Sequence, residues 1–299
     1  MREQLVRLAG LSPAEVDELG VRVEPLPGDE LGWRTRVRYT VDAAGRAGLL
    51  AHRSHEVVPV DRCRIAHPDI QALPVTSRPW PVDNHVTAVA SSGGDLSVYG
   101  DASGPVSGPE TIRERAVGRY WRLAAGDFWQ VHPAAPDVLA GAVVELLQPR
   151  PGERAWDLYG GVGLFAAVLA GAVGPAGTVT LVESDRDAVA AARDNLADLP
   201  TVHIVRSTVD RFRPADVPDV VVLDPPRAGA GASVVRTLVG LAPRAVAYVA
   251  CDPAAFARDV ATFRAAGWRL AALRAFDAFP MTHHLECVGL LVPPRSLDV

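Results

Sequence analysis

Two short segments near the end of the chain carry side chains that can act as a nucleophile and a base. Residues 248–253, YVACDP, close a strand-like run and hold Cys251 at its tip before a proline-fixed turn. About 3% of a thiol with an ordinary pKa is ionised at pH 7, so attack by Cys251 needs a shifted pKa or concerted removal of its proton. Residues 279–287, FPMTHHLEC, add His283, His284, Glu286 and Cys287. A thiol at a strand tip favours catalysis over a buried structural cysteine.

The histidines and cysteines do not predict a metal site. Adjacent histidines in an extended segment point to opposite faces, so at most one of them can join Glu286. The chain has three cysteines, which are too few and too scattered for a disulfide framework or a four-thiolate cluster. We therefore expect no metal and a reducing compartment.

A glycine-rich loop predicts a ligand site. Residues 157–165, DLYGGVGLF, follow a predicted strand and open a predicted helix, where glycines let backbone N–H groups approach a ligand. Glu183 ends the next strand, where a carboxylate can accept hydrogen bonds from two ribose hydroxyls. The spacing of Gly161 and Gly163 also fits a dinucleotide fingerprint. Asp157 disfavours a pyrophosphate and suits a cationic, amine-bearing ligand such as S-adenosylmethionine, and a tight turn without any ligand is the third interpretation.

A further loop, residues 223–227 (LDPPR), closes another strand-like run. Two prolines stiffen this loop and hold Asp224 at the strand tip, while Arg227 offers a planar fork of hydrogen-bond donors. Because ligands gather at the carboxyl ends of parallel strands, we expect Asp224, Arg227 and Cys251 to share one crevice.

The elements that must position these loops follow from alternating apolar strands and alanine-rich helices. The predicted strands span residues 154–158, 179–183, 203–206, 220–224, 245–251, 269–276 and 285–292. The predicted helices span residues 164–172, 186–199, 233–241 and 254–266. The alternation predicts an α/β fold, a Rossmann-like, doubly wound and mostly parallel sheet, whose last two strands pair antiparallel at one end.

The amino-terminal part of the chain has a different pattern. It holds short alternating runs between turn signals, which predict antiparallel β structure after an opening helix at residues 3–19 with an N-cap at Ser12. The chain of 299 residues is about twice a common domain length. We predict a smaller β-rich domain at residues 1–126 and a second domain at residues 127–299.

Charge is informative only locally. Thirty basic residues, all arginine, stand against thirty-five acidic ones, and the net charge of −5 excludes a uniformly basic surface. A first candidate RNA-binding cluster comprises Arg34, Arg36 and Arg38, which lie on one face of a predicted strand. The neighbouring aromatic side chains of Trp33 and Tyr39 can stack on unpaired bases. A second comprises Arg113, Arg115, Arg119 and Arg122 with Tyr120 and Trp121. The alternative is a solvated strand face and a charged helix paired with Glu110 and Glu114.

Together these segments resemble the RNA (uracil-C5)-methyltransferase family, S-adenosylmethionine enzymes that make 5-methyluridine in tRNA or ribosomal RNA. Five segments occur in the family's order, namely residues 128–131 (FWQV), 157–163, 224–227, 248–259 and 279–286. The pairing of Cys-x-Pro with His-x-Glu is peculiar to this chemistry. The resemblance implies a class I methyltransferase domain, and residues 31–70 resemble the family's central β domain, which helps cradle RNA.

The resemblance implies a role for each matching residue. Cys251 matches the nucleophile that adds to uracil C6, and Glu286 matches the base that removes the C5 proton. The implied cofactor contacts are Gln130, Tyr159, Glu183 and Asp224, and the glycine-rich loop itself adds Asp157, Gly161 and Gly163. The resemblance also implies that Asp224 reaches the uracil. Further substrate and RNA contacts are predicted from the loop and the arginine cluster described above, namely Arg227, Arg34, Arg36 and Arg38. We expect a monomeric cytoplasmic protein with RNA as its partner. We expect no membrane contact, since no apolar run approaches the roughly 18 residues that a transmembrane helix needs.

Four positions depart from the family pattern. Leu164, Asp252 and His132 stand where asparagine is usual, and Gly160 replaces a cysteine. The change at position 164 removes one cofactor contact worth on the order of 1 kcal/mol. Many relatives also carry an amino-terminal oligonucleotide-binding barrel and a four-cysteine iron–sulfur site. This chain begins after the place of that barrel, and only Cys63 matches a cluster cysteine, so no iron–sulfur cluster is expected.

Other functions remain open from the sequence. A non-catalytic RNA-binding protein on a methyltransferase scaffold is indicated by Leu164, Asp252 and the missing barrel. Methylation of a small molecule is a further alternative. An NAD-dependent dehydrogenase would leave Cys251 and Glu286 unexplained.

Overall fold

The computed structural model describes residues 1–51, 54–214 and 216–294 and divides into two compact units. The larger unit combines Met1–Leu26 with Asp137–Val299, and the smaller unit is Pro27–Pro136. The boundary predicted from the sequence, between residues 126 and 127, differs from this division. The main difference concerns residues 1–26. The prediction assigned them to the amino-terminal domain, whereas in the structure they belong to the larger unit with the carboxyl-terminal part of the chain.

The opening segment forms helices α1 (Arg2–Arg7) and α2 (Pro13–Glu18) and strand β1 (Val23–Pro25). The predicted single helix is interrupted, because Gly10 has a left-handed φ of 68° and the chain then begins a new helix with a full capping box. The Ser12 hydroxyl accepts from the Glu15 N–H, and the Glu15 carboxylate accepts from the Ser12 N–H. Strand β1 pairs in parallel with the later strand Arg269–Asp277, which explains why these residues join the larger unit.

The smaller unit is antiparallel, as its turn-rich sequence predicts. Its elements are β2 (Arg36–Val41), β3 (Ala47–Leu50), β4 (Val57–Pro59), α3 (Pro68–Gln71), β5 (His85–Ala90), β6 (Leu96–Gly100), β7 (Gly104–Ser107), β8 (Thr111–Ala116) and β9 (Arg119–Ala124). Six of the strands form a sheet in the order β4-β3-β2-β5-β6-β7, and β8 and β9 form a separate hairpin. The alternative of a charged helix over these last arginines is wrong, because buried and exposed residues alternate along β8 with the period of a strand.

The larger unit continues with alternating helices and strands. They are α4 (Ala135–Leu147), β10 (Arg154–Leu158), α5 (Leu164–Val173), β11 (Thr178–Glu183), α6 (Arg186–Asn195), β12 (Val202–Arg206), β13 (Val220–Leu223), α7 (Gly231–Leu241), β14 (Ala245–Ala250), α8 (Pro253–Ala265), β15 (Arg269–Asp277) and β16 (Glu286–Val292). Each predicted strand and helix coincides with one of these, with small shifts at the ends.

The strands of the larger unit form one sheet in the order β1-β15-β16-β14-β13-β10-β11-β12. All neighbours are parallel except around β16, which runs antiparallel to both β14 and β15. The predicted doubly wound sheet with an antiparallel last strand is thus confirmed, although β1 and not the last pair forms the margin. The carboxyl ends of β10, β11, β13, β14 and β15 meet at one side of the sheet, here called the carboxyl edge, and β16 begins there.

Each unit has its own apolar core. In the larger unit the side chains of Phe256 and Phe263 on α8 pack with Trp268 against the sheet, and all three are buried. In the smaller unit Tyr39 and Trp80 are buried at the centre. Within the described residues, no helix combines the length and apolarity that a membrane crossing requires.

Candidate functional site

The glycine-rich loop joins β10 to α5 at the carboxyl edge. Tyr159, Gly161 and Gly163 have left-handed φ values of 64°, 53° and 102°, so the chain reverses sharply before the helix begins. The Gly161 N–H donates to Oε2 of Glu183 over 3.0 Å. Glu183 also accepts from the N–H groups that follow β11, those of Ser184 and Asp185. The loop and the acid predicted to work together are therefore bound to each other.

Asp157, the residue before the end of β10, is fully buried. Its Oδ2 accepts from the Ala166 N–H over 2.8 Å, while its Oδ1 has no hydrogen-bond partner among the described residues. Burial, with a smaller contribution from the carboxylates of Asp224 and Glu183, raises the pKa of Asp157 to about 7, although the hydrogen bond from the Ala166 N–H acts in the opposite direction. Burial also raises the pKa of Asp224 to about 7 at the tip of the neighbouring strand β13. The buried Asp157 carboxyl group, with its unpaired Oδ1 among the described residues, and the half-buried Asp224 carboxyl group together suit a cation.

A cavity of about 240 Å³ lies beside the glycine loop. It is lined by Tyr159, Val182, Glu183, Ser184, Ser207, Thr208, Val209 and Asp210. Tyr159 and Glu183 were predicted to contact a cofactor, but the four residues after β12 were missed. Their one signal in the sequence is that they follow a parallel strand, where ligands gather.

Cys251 and Glu286 are brought together by strand register. The last ladder pair of β14 and β16 joins Ala250 to Cys287, so Cys251 directly follows this pair on one chain segment and Glu286 directly precedes it on the other. Opposed residues in an antiparallel pair project to the same face with Cβ atoms about 5 Å apart. Cys251 is half-buried, and Glu286 is only 3% exposed. The predicted nucleophile and base therefore lie side by side at the carboxyl edge.

The electrostatics of this pair come from burial and from its neighbours. Burial and then the Glu286 carboxylate raise the pKa of the Cys251 thiol. Burial and then the Asp224 carboxylate raise the pKa of Glu286 well above its usual range. The Arg227 guanidinium acts in the opposite direction on both pKa values. Asp224 and Arg227 thus belong to the same charged group as the pair.

Two acidic residues support the reactive loops. Asp252 caps α8 by accepting from the Ala255 N–H over 2.7 Å, so the aspartate does the capping work that an asparagine would do. Asp259 on α8 accepts from the Ala230 N–H over 2.8 Å and from the Tyr248 hydroxyl over 2.6 Å. This ties the loop that follows Asp224 to the helix that follows Cys251. The support by Asp259 was missed, because the contact joins segments that are distant in sequence.

The other departures also have structural explanations. At Gly160, a Cβ would lie 2.5 Å from Cγ of Leu181, so the cysteine of the family would need a different packing there. Leu164 is buried at the start of α5. His132 is buried in the smaller unit, where its ring stacks on Trp33 with centroids 5.8 Å apart.

The segment before Glu286 differs from the extended conformation expected of it. The rings of His283 and His284 do not point to opposite faces, since their centroids lie 4.2 Å apart. The expectation fails because residues 278–285 form a turn and a loop between β15 and β16. In the described part of the chain, no group of three or more His, Cys, Asp or Glu side chains is arranged to hold a metal.

The first arginine cluster lines a cavity of about 420 Å³ in the smaller unit. Arg34, Arg36 and Arg38 all line it, as expected for alternate residues of one strand face. Arg36 is nevertheless buried, ion-paired with Glu114 at 3.0 Å, and it donates to the carbonyls of Ala125 and Asp127. Arg36 therefore holds the unit together, while Arg38 is exposed.

The second cluster lies on the β8–β9 hairpin. Trp121 is fully buried and is not available to stack on a base, whereas Tyr120 is 65% exposed. The Arg115 guanidinium lies 5.4 Å from the Tyr120 ring centroid, and Arg113 is ion-paired with Asp95. The hairpin thus offers one aromatic side chain to RNA. Gln130, predicted to contact the cofactor, also belongs to the smaller unit, and its role stays a prediction.

Comparisons with known proteins identify the family. An uncharacterized RNA methyltransferase of Streptomyces avermitilis is 46% identical over 97% of this chain and 75% of its own length. A second from Streptomyces coelicolor is also 46% identical, over 97% of this chain and 71% of its own length. The chain belongs to this RNA methyltransferase family. Residues 215–293 match the family described as tRNA (Uracil-5-)-methyltransferase, and residues 134–248 match the methyltransferase small domain.

The fold agrees with this family. The structure of the Pyrococcus abyssi tRNA (uracil-54, C5)-methyltransferase in complex with S-adenosyl-L-homocysteine superposes with a TM-score of 0.75 at 23% identity, over 97% of this chain and 81% of that one. The RNA methyltransferase thus has the class I fold, whose methyl donor is S-adenosylmethionine. The predicted resemblance to RNA (uracil-C5)-methyltransferases is confirmed, and membership in an enzyme family argues against a non-catalytic scaffold.

Proposed function

We propose that this RNA methyltransferase transfers a methyl group from S-adenosylmethionine to C5 of a uridine in tRNA or ribosomal RNA. The observation that carries the proposal is the register of β14 and β16, which sets Cys251 opposite Glu286 at the carboxyl edge. A thiol and a carboxylate side by side are what addition at uracil C6 and proton removal at C5 require. Methylation at a ring nitrogen or at a ribose would not require a thiol nucleophile, so it would leave Cys251 without a role.

The residues at the carboxyl edge fit S-adenosylmethionine. Its positively charged ammonium and sulfonium groups match Asp157, whose buried Oδ1 has no hydrogen-bond partner in the part of the chain that the structure describes, and the nearby Asp224. Glu183 offers carboxylate oxygens to the ribose. In the adjoining cavity, the Tyr159 and Val182 side chains can flank an adenine ring, and Asp210 can accept from its exocyclic amine. When bound, S-adenosylmethionine would supply an electrophilic methyl group and leave as S-adenosylhomocysteine, so that the methyl–sulfonium bond broken balances the bond formed at C5.

The chemistry of Cys251 and Glu286 then follows. The Cys251 thiolate forms a bond to C6, and the electron pair of the C5–C6 double bond moves into an enolate that makes C5 nucleophilic. Once C5 carries the methyl group, Glu286 removes the remaining C5 proton. The electron pair re-forms the C5–C6 double bond as the C6–S bond breaks, which returns the Cys251 thiolate and leaves a proton on Glu286.

The proposed cofactor contacts predict that affinity depends on pH. Asp157 and Asp224 have pKa values raised to about 7, so both are largely neutral below that pH and lose their attraction for a cation. We expect the affinity for S-adenosylmethionine to rise as pH increases through about 7, by up to about tenfold per pH unit below it. Calorimetry from about pH 5 to about pH 9 measures this. Asp157→Asn should flatten the rise, and an unchanged slope in that variant would contradict the contact.

Arg36 and Arg38 of the smaller unit should respond differently to mutation. Arg38→Ala should weaken RNA binding and reduce the slope of log affinity against log salt by about 1, with little change in stability. Arg36→Ala should lower the free energy of unfolding by about 3 kcal/mol or more, because it leaves Glu114 charged and buried. Urea unfolding and filter binding at several salt concentrations separate the two effects. Equal losses of stability in both variants would contradict this assignment.

The proposed reaction is tested by mapping 5-methyluridine. RNA from cells with and without the gene is digested and analysed by mass spectrometry, and the purified protein is then incubated with RNA from the deletion strain and S-adenosylmethionine. We expect one or a few uridines in tRNA or ribosomal RNA to lose and regain the methyl group. Methylation of another base, or of a small molecule only, would contradict the proposal.

A further inference from the structure

Residues 279–282 form a type II β-turn in the loop that leads into Glu286. The Thr282 N–H donates to the Phe279 carbonyl over 3.1 Å, Pro280 occupies the second position, and Met281 at the third has a φ of 63°. The third position of this turn favours glycine or asparagine, because a positive φ strains any residue with a larger side chain. Methionine is therefore an unfavourable choice for forming the turn.

Packing does not explain the methionine either. Met281 is 71% exposed, so its apolar side chain projects into solvent from a strained backbone. The turn beneath it is rigid, since the Thr282 hydroxyl also donates to the Phe279 carbonyl over 2.7 Å. The rings of Phe279 and His284 pack edge to face with centroids 5.9 Å apart. An exposed apolar side chain held in a strained, buttressed turn indicates a functional contact.

The location of the turn indicates what Met281 contacts. The loop connects the end of β15 to the start of β16, so it lies at the carboxyl edge with the glycine loop and Cys251. Glu286, five residues further along, is 3% exposed. A uridine that approaches Cys251 and Glu286 from the carboxyl edge therefore approaches on the side of the sheet that carries the exposed Met281 side chain.

Addition of a thiolate to C6 takes place perpendicular to the plane of the uracil. In folded RNA that face is covered by the neighbouring bases, so the uridine must leave the stack before Cys251 can reach it. The gap left behind is costly unless another group fills it. Proteins that open base stacks insert apolar side chains such as methionine between base steps.

We propose that Met281 is the wedge that enters the RNA base stack as the target uridine is extruded toward Cys251. The proposal rests on the proposed function, since only chemistry on a base face requires extrusion. The positive φ of the turn is then the cost of pointing an apolar side chain outward. The thioether is flexible and polarisable, which suits contact with the faces of different bases.

The test compares Met281→Gly with wild type on two RNA fragments. One fragment contains the methylated uridine in its native fold, and the other has abasic residues on both sides of that uridine, which removes the stack. We expect Met281→Gly to lower kcat/KM on the folded fragment by about tenfold or more, as for loss of one methionine-sized apolar contact. On the abasic fragment it should stay within about twofold of wild type. Met281→Leu should retain most of the activity on both.

Gln148→Gly is the matched control. Gln148 is exposed, follows α4, and also has a left-handed φ, of 45°, so glycine relieves backbone strain there without touching the carboxyl-edge loop. Both glycine variants should have a thermal midpoint at or above that of wild type. Only Met281→Gly should lose activity on the folded fragment.

Fluorescence provides a readout that does not depend on catalysis. A 2-aminopurine next to the uridine brightens when its stacking is lost, and Cys251→Ala keeps the chemistry from proceeding. Binding of this variant should brighten the probe, and adding Met281→Gly should remove most of the increase. Equal losses of activity on both fragments, or an unchanged fluorescence increase, would overturn the wedge while leaving the reaction intact. No methylation of either fragment by wild type would overturn both.

Discussion

Replacing Cys251 by alanine is expected to reduce methyl transfer to RNA by about 10⁴-fold or more, because Cys287, the other thiol near Glu286, is fully buried in the core and cannot reach C6. The thiol is half-buried at the start of a capped helix, and alanine fits the same place. The fold and the affinity for S-adenosylmethionine should therefore be retained. Single-turnover transfer of a labelled methyl group to RNA, with circular dichroism and calorimetry on the same samples, measures this.

Cys63→Ala is the control for the loss of a thiol. Cys63 is buried in the core of the smaller unit, whereas Cys251 belongs to the larger unit, so removal of the Cys63 thiol should leave methyl transfer near the level of wild type. RNA containing 5-fluorouridine gives an independent check. Fluorine at C5 cannot be removed as a proton, so wild type and Cys63→Ala should remain covalently attached to this RNA and Cys251→Ala should not. Full activity of Cys251→Ala would rule out covalent catalysis.

Replacing Glu286 by glutamine is expected to stop the reaction after methyl transfer, with the RNA still attached to Cys251. Glutamine has the shape of glutamate but cannot accept the C5 proton, so the C6–S bond cannot break by the normal route. A protein–RNA complex that survives denaturing electrophoresis and contains the transferred methyl group should accumulate within one turnover. The overall rate should fall by about 10²-fold to 10⁴-fold, the usual contribution of a general base.

Two further variants define the outcome at Glu286. The double variant Cys251→Ala, Glu286→Gln should form no complex, and Glu18→Gln, at an exposed position of α2, should behave as wild type. If Glu286→Gln turned over normally, another group would have to be the base.

The raised pKa of Glu286 also predicts a pH dependence. The carboxyl group acts as a base only when ionised, so with its pKa well above the usual range kcat/KM should increase with pH across neutrality. The pKa of Cys251, which is also raised, should extend the increase into the alkaline range. In Glu286→Gln, the part of the increase of kcat/KM with pH that reflects ionisation of the carboxyl group should disappear. A flat profile of kcat/KM in wild type would contradict the raised pKa values, because this parameter reports the ionisation of the free protein.

Much of the fold follows from local pattern. Alternating apolar strands and alanine-rich helices predicted the order of elements from β10 to β16, because period and length are visible within a single element. Glycines and prolines marked the loops after β10, β13 and β14, since only these residues fix or permit the sharp turns there. Cys251, Asp157, Glu183 and Asp224 were identified this way at the ends of predicted strands, whereas the role of Glu286 as a base came from the resemblance to the family.

The sequence by itself indicated the candidate nucleophile and base and predicted that the reactive loops share the carboxyl edge, since parallel strands put every carboxyl end on one side. The tertiary structure decided what depends on pairing and burial between distant segments. The register of β14 with β16 set Cys251 against Glu286, and the pairing of β1 with β15 joined residues 1–26 to the larger unit. Arg36 was predicted to contact RNA, but in the structure it is buried and forms an internal ion pair with Glu114. Local pattern cannot show these, because exposure and register are set by neighbours that lie far apart in the chain.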